Sequence, residues 1–434
     1  MRAALATAAI AAAGLGVATA GGDSGLRAVR APVDGIEARD GALLAAVEFD
    51  GPARLIWVRP RTLRPAGPPL RLEDEFVADF ALSPDGSRLA VGREMHGRIQ
   101  LVDLDRWRTL GAIELKGPGA GDGVAGLAWP SPRRLLALSG LAGGPAKPVV
   151  VDPARRRIVH APDWRGRPLQ PQAAGERLVF LAAPQRRSRP GWARLVAFDA
   201  RGRVRELRLG RIEAGSWQTG RVWHHVEPAL AVTRHGDRAY VVASDIRLVA
   251  EVDLRRWRVT YHELSEPISA WRRLLGMVDP PAFAKPPVDS HVRQAEVLAN
   301  GAIAVTGEDT LPTDRPHGAA PTPMGVRLID PGTWNVRTVD RDAQFFTVAG
   351  GRLLARRWAL RDGQGPIGVR AYDTAGRLRW TRFEGADTIV RGAAGRLAYV
   401  EVRRAARRRL HVLELDSGRT VRTLPWREIR LLDR

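Results

Sequence analysis

Short apolar runs rich in Val, Leu and Ala recur along the chain, separated by turns built on Gly, Pro and Asp. Runs of that length and composition suit buried β-strands better than helices. One pattern returns: an apolar run, an acidic residue, a turn, then a second β-prone run. It stands at Ile99–Trp107, Val149–Arg155, Leu195–Gly202, Ala250–Trp257, Arg327–Trp334, Arg370–Gly376 and His411–Gly418, with a degenerate first copy at Leu55–Thr62. A second marker precedes each copy, a tight turn followed by an apolar strand. Gly41, Gly86, Gly175, Gly236, Gly301, Gly351 and Gly395 supply it, and Pro132–Arg134 replaces it once. Glycine fits there because a strand-to-strand turn often needs positive φ.

The acidic markers, with Arg59 in the degenerate copy, are spaced by 44, 49, 47, 54, 77, 43 and 41 residues. A period of about 40–45 residues with four strands is that of a propeller blade. The expectation is therefore an all-β chain, a β-propeller of about eight four-stranded blades, with seven as the alternative if the degenerate copy completes another blade. The propeller is expected over residues 31–425, after a segment 1–20 and a linker 21–30, with a tail at 426–434. Insertions fall at 211–226, 265–290 and 308–323.

Phe80–Val91 followed by Ile99–Leu104 resembles the repeat of YVTN-type and TolB-type WD40-like propellers, and Tyr372–Trp380 is similar to a quinoprotein-like repeat. The resemblance implies a propeller over nearly the whole chain. It implies little about activity, since these families host binding modules, scaffolds and enzymes alike.

Charge and compartment sharpen the picture. The formal net charge is +21, carried by arginine, with lysine only at Lys116, Lys147 and Lys285. Such an excess favours acidic partners through long-range attraction. No compact nucleic-acid-reading motif accompanies it, so no specific nucleic acid is expected. The absence of cysteine excludes disulfides, thiolate metal sites and a cysteine nucleophile. Met1–Arg2, the uncharged Ala3–Val17 and Ala18–Thr19–Ala20 have the layout of a signal peptide, so a secreted or cell-envelope protein without a later membrane span is expected.

In a propeller the second-to-third-strand and blade-to-blade connections share one face. The insertions fall there, together with Pro184–Gly191 and Arg403–Arg409, and elaborated loops on a rigid scaffold are where binding usually sits. The candidate binding residues are Arg186, Arg187, Arg189, Trp217, Trp223, Trp271, Arg403, Arg404, Arg407, Arg408 and Arg409. Trp271 belongs to Ile268–Met277, which has the spacing of a short amphipathic helix. His225 and Glu227 are the candidate metal pair, lying on one side of an extended chain, with His96, His262, His291 or His317 as a third ligand. Glu308, Asp309 and Asp314 form a smaller acidic group. Trp107, Trp257 and Trp334 repeat in register and are expected to pack blades together.

No Gly-x-Ser-x-Gly, Walker loop or His-Glu-x-x-His string is present. No catalytic residues or cofactor are assigned. The function expected is that of a monomeric, non-catalytic binding or scaffold module for a protein or polyanion of the cell envelope. The alternative is a propeller enzyme of lyase, lactonase or quinoprotein type, with titratable groups converging at the axial mouth.

Overall fold

The repeated acidic residue turns out to be the cap of a turn. Asp253 accepts hydrogen bonds from the backbone N–H groups of Arg255 and Arg256, both at 2.9 Å. Asp152 does the same for Ala154 and Arg155 at 3.0 Å. These bonds hold both carboxyls below the ordinary value of 3.8. An aspartate that satisfies two orphan amides closes the third-to-fourth-strand turn locally, which is why the marker recurs.

The computed structural model describes residues 25–28, 42–47, 54–64, 67–72, 77–93, 97–115, 123–140, 144–184, 191–220, 222–264, 288–312, 319–358, 365–404 and 407–425. The expected segment 1–20, Gly41, Arg186, Arg187, Arg189, most of the 265–290 insertion with Trp271, His96, Asp314, His317 and the tail 426–434 lie outside them.

The strands form antiparallel units in chain order. The first comprises β1 (Gly25–Ala28), β2 (Ala42–Val47), β3 (Arg54–Val58) and β4 (Leu70–Arg71). The second comprises β5 (Val77–Leu82), β6 (Arg88–Arg93), β7 (Arg98–Asp103) and β8 (Arg108–Glu114). The third comprises β9 (Val124–Ser131), β10 (Arg134–Gly140), β11 (Ala146–Asp152) and β12 (Arg157–His160). Next come β13 (Arg167–Ala174), β14 (Arg177–Ala183), β15 (Gly191–Asp199), the long β16 (Val204–Thr219) and β17 (Val222–Glu227). A separate sheet holds β18 (Ala229–Val232), β19 (Arg238–Val242), β20 (Leu248–Asp253) and β21 (Arg258–Glu263). Then follow β22 (Val288–Val297), β23 (Ile303–Pro312), β24 (Ala319–Pro323), β25 (Val326–Ile329) and β26 (Val336–Asp340). The last two sheets are β27 (Phe345–Ala349), β28 (Arg352–Arg357), β29 (Gly368–Asp373), β30 (Leu378–Arg382), and β31 (Asp387–Ala394), β32 (Leu397–Arg404), β33 (Arg407–Glu414), β34 (Thr420–Pro425).

First strands pack on first strands: β5 on β9, β9 on β13, β13 on β18, β18 on β22 and β27 on β31, while β1 lies against β31. That is a β-propeller. The blade count expected from sequence is corrected. Among the described residues neither eight nor seven repeating four-stranded blades are found; five such blades stand as separate sheets with described cores, namely β5–β8, β9–β12, β18–β21, β27–β30 and β31–β34. The short β1–β4 sheet is described mainly in its backbone, and the middle of the chain is one ten-stranded sheet running from β13 to β26 around the β18–β21 blade. The physical cause is β17. It leaves β16 as a hairpin and pairs in parallel with β22, so hydrogen bonding continues where a blade edge would end. The unequal marker spacings of 54 and 77 residues are the trace of this departure.

Blade-to-blade cores are apolar and closed. One joins Val179, Leu181, Leu195 and Leu209 to Leu230, Val241 and Val252, and another joins Leu354, Val369 and Trp380 to Val400 and Leu413. The recurring tryptophans seal such junctions from turn positions of positive φ, at 49°, 61° and 60° for Trp107, Trp257 and Trp334. Trp107 donates to the Pro68 carbonyl at 2.6 Å and meets Trp57 edge-on. Trp334 stacks on His262 with ring centroids 3.6 Å apart.

Gly236 shows why the first turn keeps glycine. Its φ is +66°, and a Cβ there would lie 2.5 Å from the Ala174 carbonyl oxygen of the preceding sheet. Gly236→Ala is expected to destabilise by about 2–3 kcal/mol, read as a lowered urea midpoint; an unchanged midpoint would show that the turn relaxes freely.

Candidate functional site

The expected long loops are largely strands. β16 runs on past its blade to Thr219, turns at Gly220 and returns as β17. β22 and β23 extend beyond their blade likewise, and β24 adds to β23. The described residues of insertions 211–226 and 308–323 thus belong to a raised sheet of β16, β17, β22, β23 and β24, and Arg403, Arg404 and Arg407–Arg409 lie at the facing ends of β32 and β33. In a propeller all of these project from the end where first strands begin and second strands finish.

Two polar clusters are built on this face. The first lies where the raised sheet meets the inner strands. Gln170 sits at a bulge of β13 with φ of +51°. Its amide nitrogen lies 2.8 Å from the Arg293 carbonyl, 3.0 Å from the Pro228 carbonyl and 3.4 Å from Glu227 Oε1, while its oxygen accepts the Leu230 N–H at 2.8 Å. One glutamine therefore ties β13 to β18, β17 and β22. Glu227, 1% exposed, faces His225 Nε2 at 3.6 Å, and His225 Nδ1 lies 2.8 Å from Ser216 Oγ.

Across Val292 on the same sheet face stands Glu308, bonded by Gln344. Burial raises its pKa, with the Gln344 bond and the Arg293 charge opposing. The other face carries Arg293, 1% exposed. It donates to the carbonyls of Ser244 (2.6 Å), Val292 (3.0 Å) and Glu308 (2.9 Å), and to Asp309 at 2.6 Å, which His291 also contacts at 2.7 Å.

The second cluster is the arginine hairpin. Glu401 on β32 is fully buried. Arg403 Nε and Arg391 Nε both donate to it at 2.7 Å, and Arg408 makes a third ion pair. Burial alone would raise the Glu401 pKa; the Arg408 hydrogen bond, the Arg391 charge and the Arg403 bond outweigh it and hold it low. Arg391, Arg403 and Arg408 thus gather on one carboxylate. Arg404, Arg407 and Arg409 are exposed beside it. The field is felt nearby: burial, reinforced by Arg409 and Arg404, pushes His411 down to about 4. In the adjoining blade Arg356 lies over Phe345 and Trp358, at 4.6 and 5.0 Å from their ring centroids.

The expected binding residues separate accordingly. Arg404, Arg407 and Arg409 face solvent, whereas Arg403 and Arg408 are partly buried on Glu401. Trp223 is 38% exposed; Trp217 is 9% exposed and stacked on His224 on the other face of the hairpin. The structure brings the candidate metal pair His225 and Glu227 together, yet the two proposed third ligands among the described residues go elsewhere. His262 bonds Glu251 at 3.0 Å and His291 bonds Asp309. No group of three or more His, Cys, Asp or Glu able to hold a metal exists among the described residues. Glu308 and Asp309 point to opposite faces of β23, so they do not form one acidic group. No helix among the described residues is long and apolar enough to cross a membrane.

Ser216, Gln170, Arg293, Arg391 and Glu401 are not among the residues expected from the sequence. A signal existed for two of them. Glu401 interrupts Leu397–Val402 and Arg293 interrupts a strand run, and a charge inside a buried strand is rarely unpaired.

No family model matches the chain, and no curated protein matches it in sequence. Solved structures do match. The chain is similar to dihydro-heme d1 dehydrogenase NirN in complex with DHE, with a TM-score of 0.57 and 14% identity over 92% of this chain and 75% of that one. It is also similar to Sqt1 of Saccharomyces cerevisiae, with a TM-score of 0.51 and 12% identity over 88% of this chain and 93% of that one. At such identities the likeness establishes the propeller fold and nothing finer. The first of these is an enzyme by its name, which is said of that protein alone.

Proposed function

We propose that this chain is an exported β-propeller that binds a polyanion of the cell envelope, or a strongly acidic protein surface, through the β32–β33 hairpin. The observation that supports this most directly is the Glu401 cluster. A single buried carboxylate orders three arginines at the base of the hairpin, with Arg404, Arg407 and Arg409 presented to solvent beside them. Guanidinium groups held in place lose less freedom on binding an oxyanion than free side chains do. The overall charge of +21 adds attraction at long range. Binding at this site needs no chemistry from the protein.

The test is binding of the full chain to polyphosphate and to poly-glutamate across a salt series. Affinity is expected to fall steadily with salt. The triple variant Arg404→Ser, Arg407→Ser, Arg409→Ser is expected to bind about tenfold more weakly at low salt, with about half a kcal/mol per exposed charge. Equal affinity of variant and wild type, or binding insensitive to salt, would overturn the proposal. A preference for poly-glutamate over polyphosphate would point to the acidic protein surface.

A further inference from the structure

We propose that Ser216 is a nucleophile activated by His225, and that the raised sheet carries an esterase site separate from the arginine hairpin. Three side chains form a relay on one face of the β16–β17 hairpin, its first link a hydrogen bond and its second a longer ion-pair contact. Ser216 and His225 are register partners, and Glu227 follows two residues later on the same side. Ser216 Oγ lies 2.8 Å from His225 Nδ1, and His225 Nε2 lies 3.6 Å from Glu227 Oε2. The relay descends into the protein: Ser216 is partly exposed, His225 is 7% exposed and Glu227 is 1% exposed.

A hydroxyl at the surface, an imidazole beneath it and a buried carboxylate behind that imidazole are the three roles a serine hydrolase needs. With the Nδ1 lone pair turned to the hydroxyl, the Nε2 proton faces Glu227. At 3.6 Å the carboxylate is in ion-pair range, where its charge stabilises the imidazolium. Gln170, reaching Glu227 Oε1 from β13, and the parallel pairing of β17 with β22 hold the carboxylate in place.

The same face selects a substrate class. Trp223 precedes His225 by two residues and keeps 38% of its surface exposed. An open indole on that side of the hairpin is a platform for an apolar acyl group. In the first step Ser216 Oγ bonds to the ester carbonyl carbon, His225 Nδ1 takes the hydroxyl proton, and the carbon–oxygen bond to the alcohol breaks. His225 returns the proton to the departing alcohol. Water then attacks the acyl-serine, giving up one proton through His225 to Ser216, and the carboxylic acid is released. No oxidant, metal or co-reactant enters. Ser216 and His225 are catalytic residues in this scheme and Glu227 is a positioning residue.

The experiment is treatment of the full chain with a fluorophosphonate, followed by peptide mass mapping, and hydrolysis of p-nitrophenyl butyrate in parallel. The expected result is stoichiometric phosphonylation at Ser216, abolished by His225→Gln, and ester turnover reduced about a thousandfold or more by Ser216→Ala. Glu227→Gln is expected to lower kcat with little change in KM, with partial rescue by Glu227→Asp, and Trp223→Ala to raise KM. Mapping the label on the wild-type chain needs no variant to fold. A folded wild-type chain that takes no label at Ser216, or a label confined to other residues, overturns the proposal. So does ester hydrolysis that survives Ser216→Ala at full rate. Neither result bears on polyanion binding by the hairpin.

Discussion

Glu401→Gln is expected to lower the stability of the propeller by about 3–5 kcal/mol, the cost of removing one partner from a buried ionic group. The reason is specific. Glu401 is fully buried and balances Arg391, Arg403 and Arg408, of which Arg391 keeps only 9% of its side chain exposed. A glutamine of the same shape can accept hydrogen bonds but carries no charge, so the three guanidiniums would lose the buried negative charge they share. Urea unfolding at neutral pH is the measurement, and a midpoint within error of wild type would show that the arginines re-solvate without cost.

The pH dependence follows from the direction of the shift. A carboxyl held below its ordinary value of 4.5 binds its proton less readily folded than unfolded. Its contribution is complete above that ordinary value and is lost as pH falls through the lower folded value. Asp309 acts with the same sign: burial opposes, but the His291 hydrogen bond and the Arg293 charge hold its pKa low. Wild type is therefore expected to lose stability as pH drops below about 4.5, and the gap between wild type and Glu401→Gln to narrow over the same range. A gap that widens on acidification would contradict the assignment.

Arg293→Met is the second large effect, again about 3–5 kcal/mol. Arg293 is 1% exposed and satisfies the Ser244, Val292 and Glu308 carbonyls as well as Asp309. Methionine fills much of the volume but removes the donors to those carbonyls and leaves Asp309 with His291 alone. Because the Ser244 bond joins β22 to the β18–β21 blade, the loss is expected to loosen the junction beneath the raised sheet first. Hydrogen exchange should show β17 and the start of β22 losing protection ahead of the outer strands. A double variant Arg293→Met with Asp309→Asn should recover part of the loss, since the uncompensated charge is then gone. If the double variant is no better than the single one, the carbonyl bonds and not the ion pair dominate.

The arginine hairpin was legible as charge and illegible as structure. Arg403–Arg409 stands out in the sequence, but only the β32–β33 register sets Arg403 and Arg408 on Glu401 and leaves Arg404, Arg407 and Arg409 outside. His225 and Glu227 were legible as a pair because alternation puts them on one side of a strand. Their neighbours were not: Ser216 meets His225 through hairpin pairing, and Gln170 reaches Glu227 from 57 residues away.

By itself the sequence determined the features that act over a few residues. The Asp-capped turns, the positive-φ glycines and the short apolar strands recur because each satisfies its backbone amides and its torsional needs locally, and from these the propeller class follows. Tertiary structure decided what depends on distant partners. The blade arrangement was one such outcome, since β17 joins β22 in parallel across a stretch of chain whose length the repeat pattern registers but whose pairing it does not encode. The composition of both candidate sites was the other. A buried charge or hydroxyl takes its role from the groups that replace its water, and those groups come together only when the inner strands close around the axis.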